Sequence, residues 1–168
     1  MTAASHEIGP ASTDDLPAIL EILNREALEG VALWNEATKS AQDVAEWFDA
    51  RRAGGYPVLA ARVDGALVGF GSFGPFRPHE GYRETVELSL YIAPEHQGRG
   101  IGKAMLAALE RCARERCVHV MIGGIEASNA GSIALHRSCG FEETARMPEV
   151  GLKFGRRLTL VLMQKILR

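Results

Sequence analysis

The stretch Gln97-Gly98-Arg99-Gly100-Ile101-Gly102 follows a strand candidate, Val86-Glu87-Leu88-Ser89-Leu90-Tyr91-Ile92, and opens a helix candidate that begins near Gly102. That helix carries Met105, Leu106, Leu109, Cys112 and Ala113 on one face. Three glycines in five positions let the backbone approach a ligand without interference from Cβ. Their amides, together with the first free N–H groups of the helix, form an anion site. A pyrophosphate suits such a site, so the stretch points to a nucleotide-bearing cofactor.

Two familiar phosphate motifs do not fit. A P-loop ends in Gly-Lys-Ser/Thr, whereas Gly102-Lys103 is followed by Ala104, which has no hydroxyl for magnesium. The dinucleotide fingerprint spaces its glycines G-x-G-x-x-G early in a parallel βαβ unit, and the spacing here is tighter and follows a strand with a central carboxylate. The pattern Gln/Arg-x-x-Gly-x-Gly/Ala resembles instead the pyrophosphate loop of the Gcn5-related N-acetyltransferases (GNAT), which bind acetyl-coenzyme A.

Composition bounds the remaining classes. A chain of 168 residues is of ordinary size for one domain, and 46% hydrophobic content suffices for a core. A net charge of −2, with acids and bases interspersed, lacks the basic footprint of a nucleic-acid partner. No apolar run approaches the roughly 20 residues of a membrane span. Met1 to Glu7 lack the apolar core of a signal peptide, and a cytoplasmic location is expected. Cys112, Cys117 and Cys139 read as reduced, mostly packed thiols. The five histidines are scattered without a His-x-x-x-His pair, so no metal is expected.

Ile8 to Ala11 reads as a short edge strand. Thr13 is a candidate N-cap, with Asp14 and Asp15 suiting the positive helix end, and Leu16, Ile19, Leu20, Leu23 and Ala27 follow at helical spacing. A second helix spans Ala41 to Arg52 and ends at Gly54-Gly55. Strands Val58 to Val63 and Leu67 to Phe73 are joined by an Asp64-Gly65 hairpin signal. A polar and aromatic loop, Gly74 to Arg83, leads to the strand with Glu87. Past the glycine loop and its helix come strand His119 to Ile125, a helix capped by Ser128 or Asn129 and closed by Gly140, and strands Phe141 to Arg146 and Arg157 to Leu167. Helices alternating with strands imply α/β layering, and the early hairpin implies a mixed sheet.

Strand alternation puts Val86, Leu88, Leu90 and Ile92 on one face and Thr85, Glu87, Ser89 and Tyr91 on the other. A carboxylate in mid-strand is costly without partners or a task. One reading pairs Glu87 with Arg83 or Arg77; the other makes it a general base just before the loop that holds the acyl donor. Acetyl transfer to an amine needs such a base, because an ammonium ion has no lone pair and an α-amino group titrates near pH ~8. A carboxylate in a partly dry pocket, its pKa raised, takes that proton directly or through water. A backbone N–H near Leu90 to Ile92 is placed to stabilise the oxyanion of the tetrahedral intermediate.

The resemblance extends along nearly the whole chain. Thr85-Val86-Glu87, Ser89-Leu90-Tyr91-Ile92, His96 to Gly102, Ile125-Glu126-Ala127-Ser128-Asn129, Leu135-His136, Gly140-Phe141 and Val150 to Gly155 resemble the phosphinothricin acetyltransferase branch of the GNAT superfamily. Leu33-Trp34-Asn35, Gly55 to Leu59 and Met147 to Gly151 look like the bacterial L-amino acid N-acyltransferases, which act on methionine-like amino acids including methionine sulfone and methionine sulfoximine. The resemblance implies a GNAT fold: a mixed, mostly antiparallel central sheet flanked by helices on both faces. It implies that Leu90, Tyr91 and Ile92 bond the pantetheine arm through their backbone, that Gly98, Arg99, Gly100, Ile101, Gly102 and Lys103 hold the pyrophosphate, and that Asn129 contacts coenzyme A further along. Arg77, Pro78 and His79, with Glu87, Leu88 and Ser89, are expected to line the amino-acid pocket, Arg77 taking the substrate carboxylate through its planar fork. It further implies a homodimer.

His136 reads as a packing residue, and Trp34 and Phe76 as either core or substrate wall. The chain departs from the branch at Leu88, where His is frequent, and at Arg157 and Thr159, where Trp and Asp are common; Leu88 is expected to make the pocket more apolar. The acceptor stays open between a small amino acid, a protein N-terminus and an aminoglycoside. A non-catalytic acyl-coenzyme A sensor is the alternative from another class, and Glu87 beside an intact glycine loop weighs against it.

Overall fold

The computed structural model describes residues 5–168. Residues 1–4, part of the stretch read above for a signal peptide, lie outside the described residues. The elements run β1 (His6–Pro10), α1 (Leu16–Glu29), α2 (Ala41–Ala53), β2 (Val58–Val63), β3 (Ala66–Pro75), β4 (Thr85–Ile92), α3 (Ile101–Glu115), β5 (Val120–Glu126), α4 (Ala130–Ser138), β6 (Glu142–Lys153) and β7 (Arg156–Ile166). Among the described residues the strands form one seven-stranded sheet in the order β1-β2-β3-β4-β5-β7-β6. Every pairing in it is antiparallel except β4 with β5.

Two apolar layers hold helices on the two faces. Met105, Leu106 and Leu109 of α3 and Ile133 of α4 pack against Leu59, Phe73, Val86 and Leu88 of the sheet. On the opposite face Ile19 and Leu23 of α1 and Val44 and Phe48 of α2 pack against Val58 and Phe70. The alternation expected along β4 holds: Leu90 and Ile92 join the α3 layer, and Tyr91 joins the α1–α2 layer, its ring stacked on Phe70 at 5.2 Å. No helix among the described residues is long and apolar enough to cross a membrane.

Local signals act much as the sequence suggests. Asp64 and Gly65 both have positive φ (51° and 81°), the backbone of a two-residue hairpin turn. The start of α1 differs: Ser12 rather than Thr13 caps a short 3₁₀ turn, and Asp15 accepts from the Ser12 N–H at 2.7 Å and pairs with Arg62. The strand expected to end at Arg146 continues to Lys153. Pro148 is tolerated there because β6 is an edge strand, and a register shift between Met147 and Gly151 absorbs it, with Glu149 at φ 59°.

Candidate active site

The parallel pair opens into a gap. β4 pairs with β5 from Thr85↔Val120 to Leu88↔Gly123 and no further. Past that point β5 stays with β7 to Glu126, and β4 stays with β3 to Ile92. Ser89 to Ile92 therefore have a strand partner on the β3 side only. In open α/β sheets, ligand crevices lie outside the carboxyl ends of parallel strands, and this one opens there.

Two cavities meet at the gap. The larger, about 800 Å³, runs past Leu90, Tyr91 and Ile92, along Gly98, Gly100, Gly102 and Lys103, to Asn129 and α4. The smaller, about 230 Å³, is bordered by Glu87, Leu88, Ser89, Gly123, Gly124 and His136. Ala32, Leu90 and Tyr91 border both.

The glycine loop is built for close approach. Gly98 (φ 73°) and Gly100 (φ 83°) are left-handed, and a Cβ on either meets no atom within 4 Å. Gly100 is the N-cap of α3, and the first intrahelical bond runs from the Ala104 N–H to the Gly100 carbonyl at 3.1 Å. The N–H groups of Ile101, Gly102 and Lys103 thus have no helical acceptor. The Gln97 amide donates to the Ile92 carbonyl at 2.9 Å, tying the loop to the end of β4. Asn129 caps α4 by accepting from the Ser132 N–H at 3.1 Å while bordering the larger cavity. Ile101 is buried in the core with its side chain away from the cavity, and Arg99 is exposed without bordering it.

Glu87 points to the α1–α2 face. Its Oε1 hangs over Gly124, where a Cβ would come within 3.3 Å. Much of the side chain reaches solvent, yet crowding around the carboxylate raises its pKa above the ordinary value, with the Arg77 charge acting in the opposite direction. Arg77 lies on the exposed loop with its guanidinium 4.7 Å from the Phe76 ring centroid. Arg77, Pro78 and His79 are all exposed and border neither cavity, so the loop stands beside the Glu87 site rather than forming its wall. The Leu88 side chain is 6% exposed and packed in the α3 layer, on the face opposite Glu87, and Leu88 borders the smaller cavity together with Glu87 and Ser89.

His136 packs edge-on against Phe141 and also borders the smaller cavity. It is buried on the opposite face, where a Cβ on Gly123 would come 3.0 Å from its Nε2. Its Nδ1 lies 2.8 Å from the Ser132 carbonyl, a group that only accepts, so Nδ1 carries the proton and Nε2 the lone pair. Nε2 is buried at the smaller cavity without a partner. Burial lowers the ring's pKa, with the Ser132 bond acting against that shift. The sequence signal for this site was the pair Gly123-Gly124 inside a strand, which marks close approach of other groups to the backbone. One glycine makes room for His136, the other for Glu87. Tyr91 stands at the junction of the cavities, its hydroxyl pushed up to about 12 by burial and by the nearby Glu26.

With this geometry in hand, similarity to known proteins is informative. Residues 16–141 match the model of the Acetyltransferase (GNAT) family. The chain is 47% identical to the L-methionine sulfoximine/L-methionine sulfone acetyltransferase of Salmonella typhimurium over 92% of its own length and 90% of that protein. Among solved structures, yncA from Salmonella typhimurium with acetyl-CoA superposes with a TM-score of 0.94 at 45% identity, covering 97% of this chain and 94% of that one. The ribosomal-protein-alanine N-acetyltransferase from Brucella melitensis gives a TM-score of 0.94 at 51% identity, covering 96% and 99%.

Proposed function

This chain belongs to the acetyltransferase (GNAT) family and is an acetyl-CoA-dependent N-acetyltransferase, and from that premise we propose that its acceptor is the α-amino group of a small, methionine-like L-amino acid. The observation that carries the assignment of parts is the gap between β4 and β5, which joins an anion-binding loop on one face of the sheet to a carboxylate on the other. Acetyl-CoA supplies the activated acetyl group as a thioester. The N–H groups from Gly98 to Lys103 suit its pyrophosphate, the unpaired edge of Leu90 to Ile92 suits the amide-bearing arm, and Asn129 borders the far end of the same cavity.

Glu87 receives the ammonium proton of the acceptor. Its raised pKa makes it a better proton acceptor than an ordinary surface carboxylate. A backbone N–H from the Leu90 to Ile92 edge stabilises the developing oxyanion. His136, on the cofactor face, offers Nε2 as an acceptor for a polar hydrogen in the gap. Arg77 is the cation whose charge acts on Glu87, and we assign the substrate carboxylate to it. Free, unpaired cysteines suit a reducing compartment, and we assign the enzyme to the cytoplasm. The exposed apolar residues Met147, Val150, Leu152 and Phe154 on or beside edge strand β6 support a homodimer.

A second reading takes the N-terminal amine of a peptide as acceptor, and the name of the Brucella melitensis relative favours it. Thiol release from acetyl-CoA, followed across free amino acids, methionine sulfone, methionine sulfoximine, phosphinothricin and an alanine-leading peptide, separates the two. The amino-acid reading expects methionine sulfone or sulfoximine to lead. It also expects Arg77→Ala to weaken the acceptor by ~0.2–1 kcal/mol, the range of a charge pair that solvent reaches. A peptide that outruns every free amino acid overturns it.

A further inference from the structure

Lys153 is 1% exposed, a burial that lysine reaches only with full compensation. No carboxylate among the described residues pairs with it directly, and the charges of Glu26 and Glu36 favour it only from a distance. The ammonium instead donates to three carbonyls at the end of α1 and just beyond it: Glu26 at 3.1 Å, Gly30 at 2.6 Å and Leu33 at 2.5 Å. These use all three of its protons. The partners lie 120 to 127 residues away in sequence, so the contact joins the tip of the β6–β7 hairpin to the segment after α1. The hairpin turns on two residues, Phe154 and Gly155, both left-handed (φ 51° and 67°).

The segment held by Lys153 is fixed from other sides as well. Glu26 accepts from the Ala32 N–H at 2.7 Å, and the Trp34 indole donates to the Val31 carbonyl at 2.9 Å. Glu36 accepts from the Phe154 N–H at 2.7 Å. The Trp34 ring lies over Gly151, where any Cβ would overlap it. What this clamp presents to the site is Val31 and Ala32: Val31 borders the larger cavity, and Ala32 borders both.

We propose that Lys153 is a positioning residue for acceptor selection, because by gathering the carbonyls of Glu26, Gly30 and Leu33 it sets where Val31 and Ala32 stand at the junction of the two cavities. The wall that faces an acceptor side chain is then set from the opposite end of the chain. This rests on the proposed reading that the acceptor is a free amino acid entering from the Glu87 face.

The test compares wild type with Lys153→Met, which keeps length and loses the three donors. Acceptor kcat/KM is measured for methionine sulfone and for alanine, and acetyl-CoA affinity by calorimetry. A displaced wall lowers kcat/KM for methionine sulfone by about 10- to 100-fold and shifts its ratio to alanine, while acetyl-CoA affinity changes by less than about threefold. Should Lys153→Met fail to fold, Gly151→Ala pushes the Trp34 ring with Lys153 intact and is expected to shift the same ratio in the folded protein. An unchanged acceptor ratio in the folded variant, or an equal loss for every acceptor together with acetyl-CoA binding, overturns the proposal. A wild-type enzyme inactive on every free amino acid would instead overturn the proposed function, so the two failures are distinguishable.

Discussion

Gly100→Ala separates cofactor binding from folding more cleanly than any other change in the loop. Gly100 sits at φ 83° and ψ −3°, the left-handed conformation, as N-cap of α3. A side chain there costs ~1–2 kcal/mol of backbone strain. At ~2–4 °C per kcal/mol for a domain of this size, the melting temperature should fall by ~2–8 °C. No atom lies within 4 Å of the new Cβ, so nothing further is lost in the free protein. The bound state is different, since the methyl group enters the space where the N–H groups of the loop converge. Displacing even one charge-assisted hydrogen bond costs ~1.5–3 kcal/mol, or ~10- to 150-fold in acetyl-CoA dissociation constant. Gly102→Ala provides the contrast. Its Cβ turns toward Leu135, 2.8 Å from a terminal methyl, and Gly102 lies in the first turn of α3 without a positive φ, so no left-handed strain is added. The two glycines, equivalent as blockers when read from sequence, are therefore expected to differ, with Gly102→Ala acting mainly through α3–α4 packing. Calorimetric titration with acetyl-CoA, a circular-dichroism melt, and kinetics with acetyl-pantetheine, which lacks the pyrophosphate, form the assay. Turnover of acetyl-pantetheine should be spared. An unchanged acetyl-CoA affinity in folded Gly100→Ala, or an equal loss with acetyl-pantetheine, refutes the assignment of this loop to pyrophosphate.

Two further predictions concern the proton chemistry. Glu87→Gln should lower kcat/KM by ~10²–10⁴-fold with acetyl-CoA affinity intact, and wild-type activity should fall as pH drops through the raised pKa of Glu87. The defect should narrow as pH rises toward the amine's own pKa near ~8; a near-normal rate at neutral pH would send the proton to water instead. The same raised pKa has a sign for stability. The contribution of Glu87 is full below its unfolded pKa and is lost as pH rises through the folded one, so Glu87→Gln should melt no lower than wild type at pH 7. His136→Phe, which keeps an aromatic ring against Phe141 and removes both the Ser132 bond and the orphaned Nε2, should lower the melting temperature by ~1–6 °C and kcat about tenfold; unchanged kcat and KM would reduce His136 to packing.

Most of the architecture was legible because each element carries its own local signal. The Asp64-Gly65 turn, the Asn129 cap and the apolar face of α3 each act through neighbouring residues, and the structure holds them where those signals lie. The misreadings were of features decided at long range. β6 runs on past Arg146 because an edge position excuses Pro148, and edge status depends on a sheet order that no local pattern encodes. Lys153 could be marked only as part of a motif, since its three acceptors lie more than a hundred residues earlier.

The gap between β4 and β5 explains why these distant signals converge on one site. Where Gly123 and Gly124 follow each other in β5, the strand has no side chain on either face. His136 moves in from one face and Glu87 from the other, each toward the backbone of a glycine. Their environments push them in opposite directions, the carboxylate's pKa up and the imidazole's down. Both shifts favour the neutral form, as expected where two polar groups are drawn out of water toward a shared opening. A methyl group at Gly123 would meet the imidazole at 3.0 Å, tighter than ordinary contact, and would push it out of its bond to Ser132. At Gly124 the corresponding contact with the Glu87 carboxylate is 3.3 Å, and that carboxylate can swing toward solvent. Alanine at 123 should therefore disturb the fold around α4 first, whereas alanine at 124 should disturb proton transfer first. That ordering follows from the two faces of one strand.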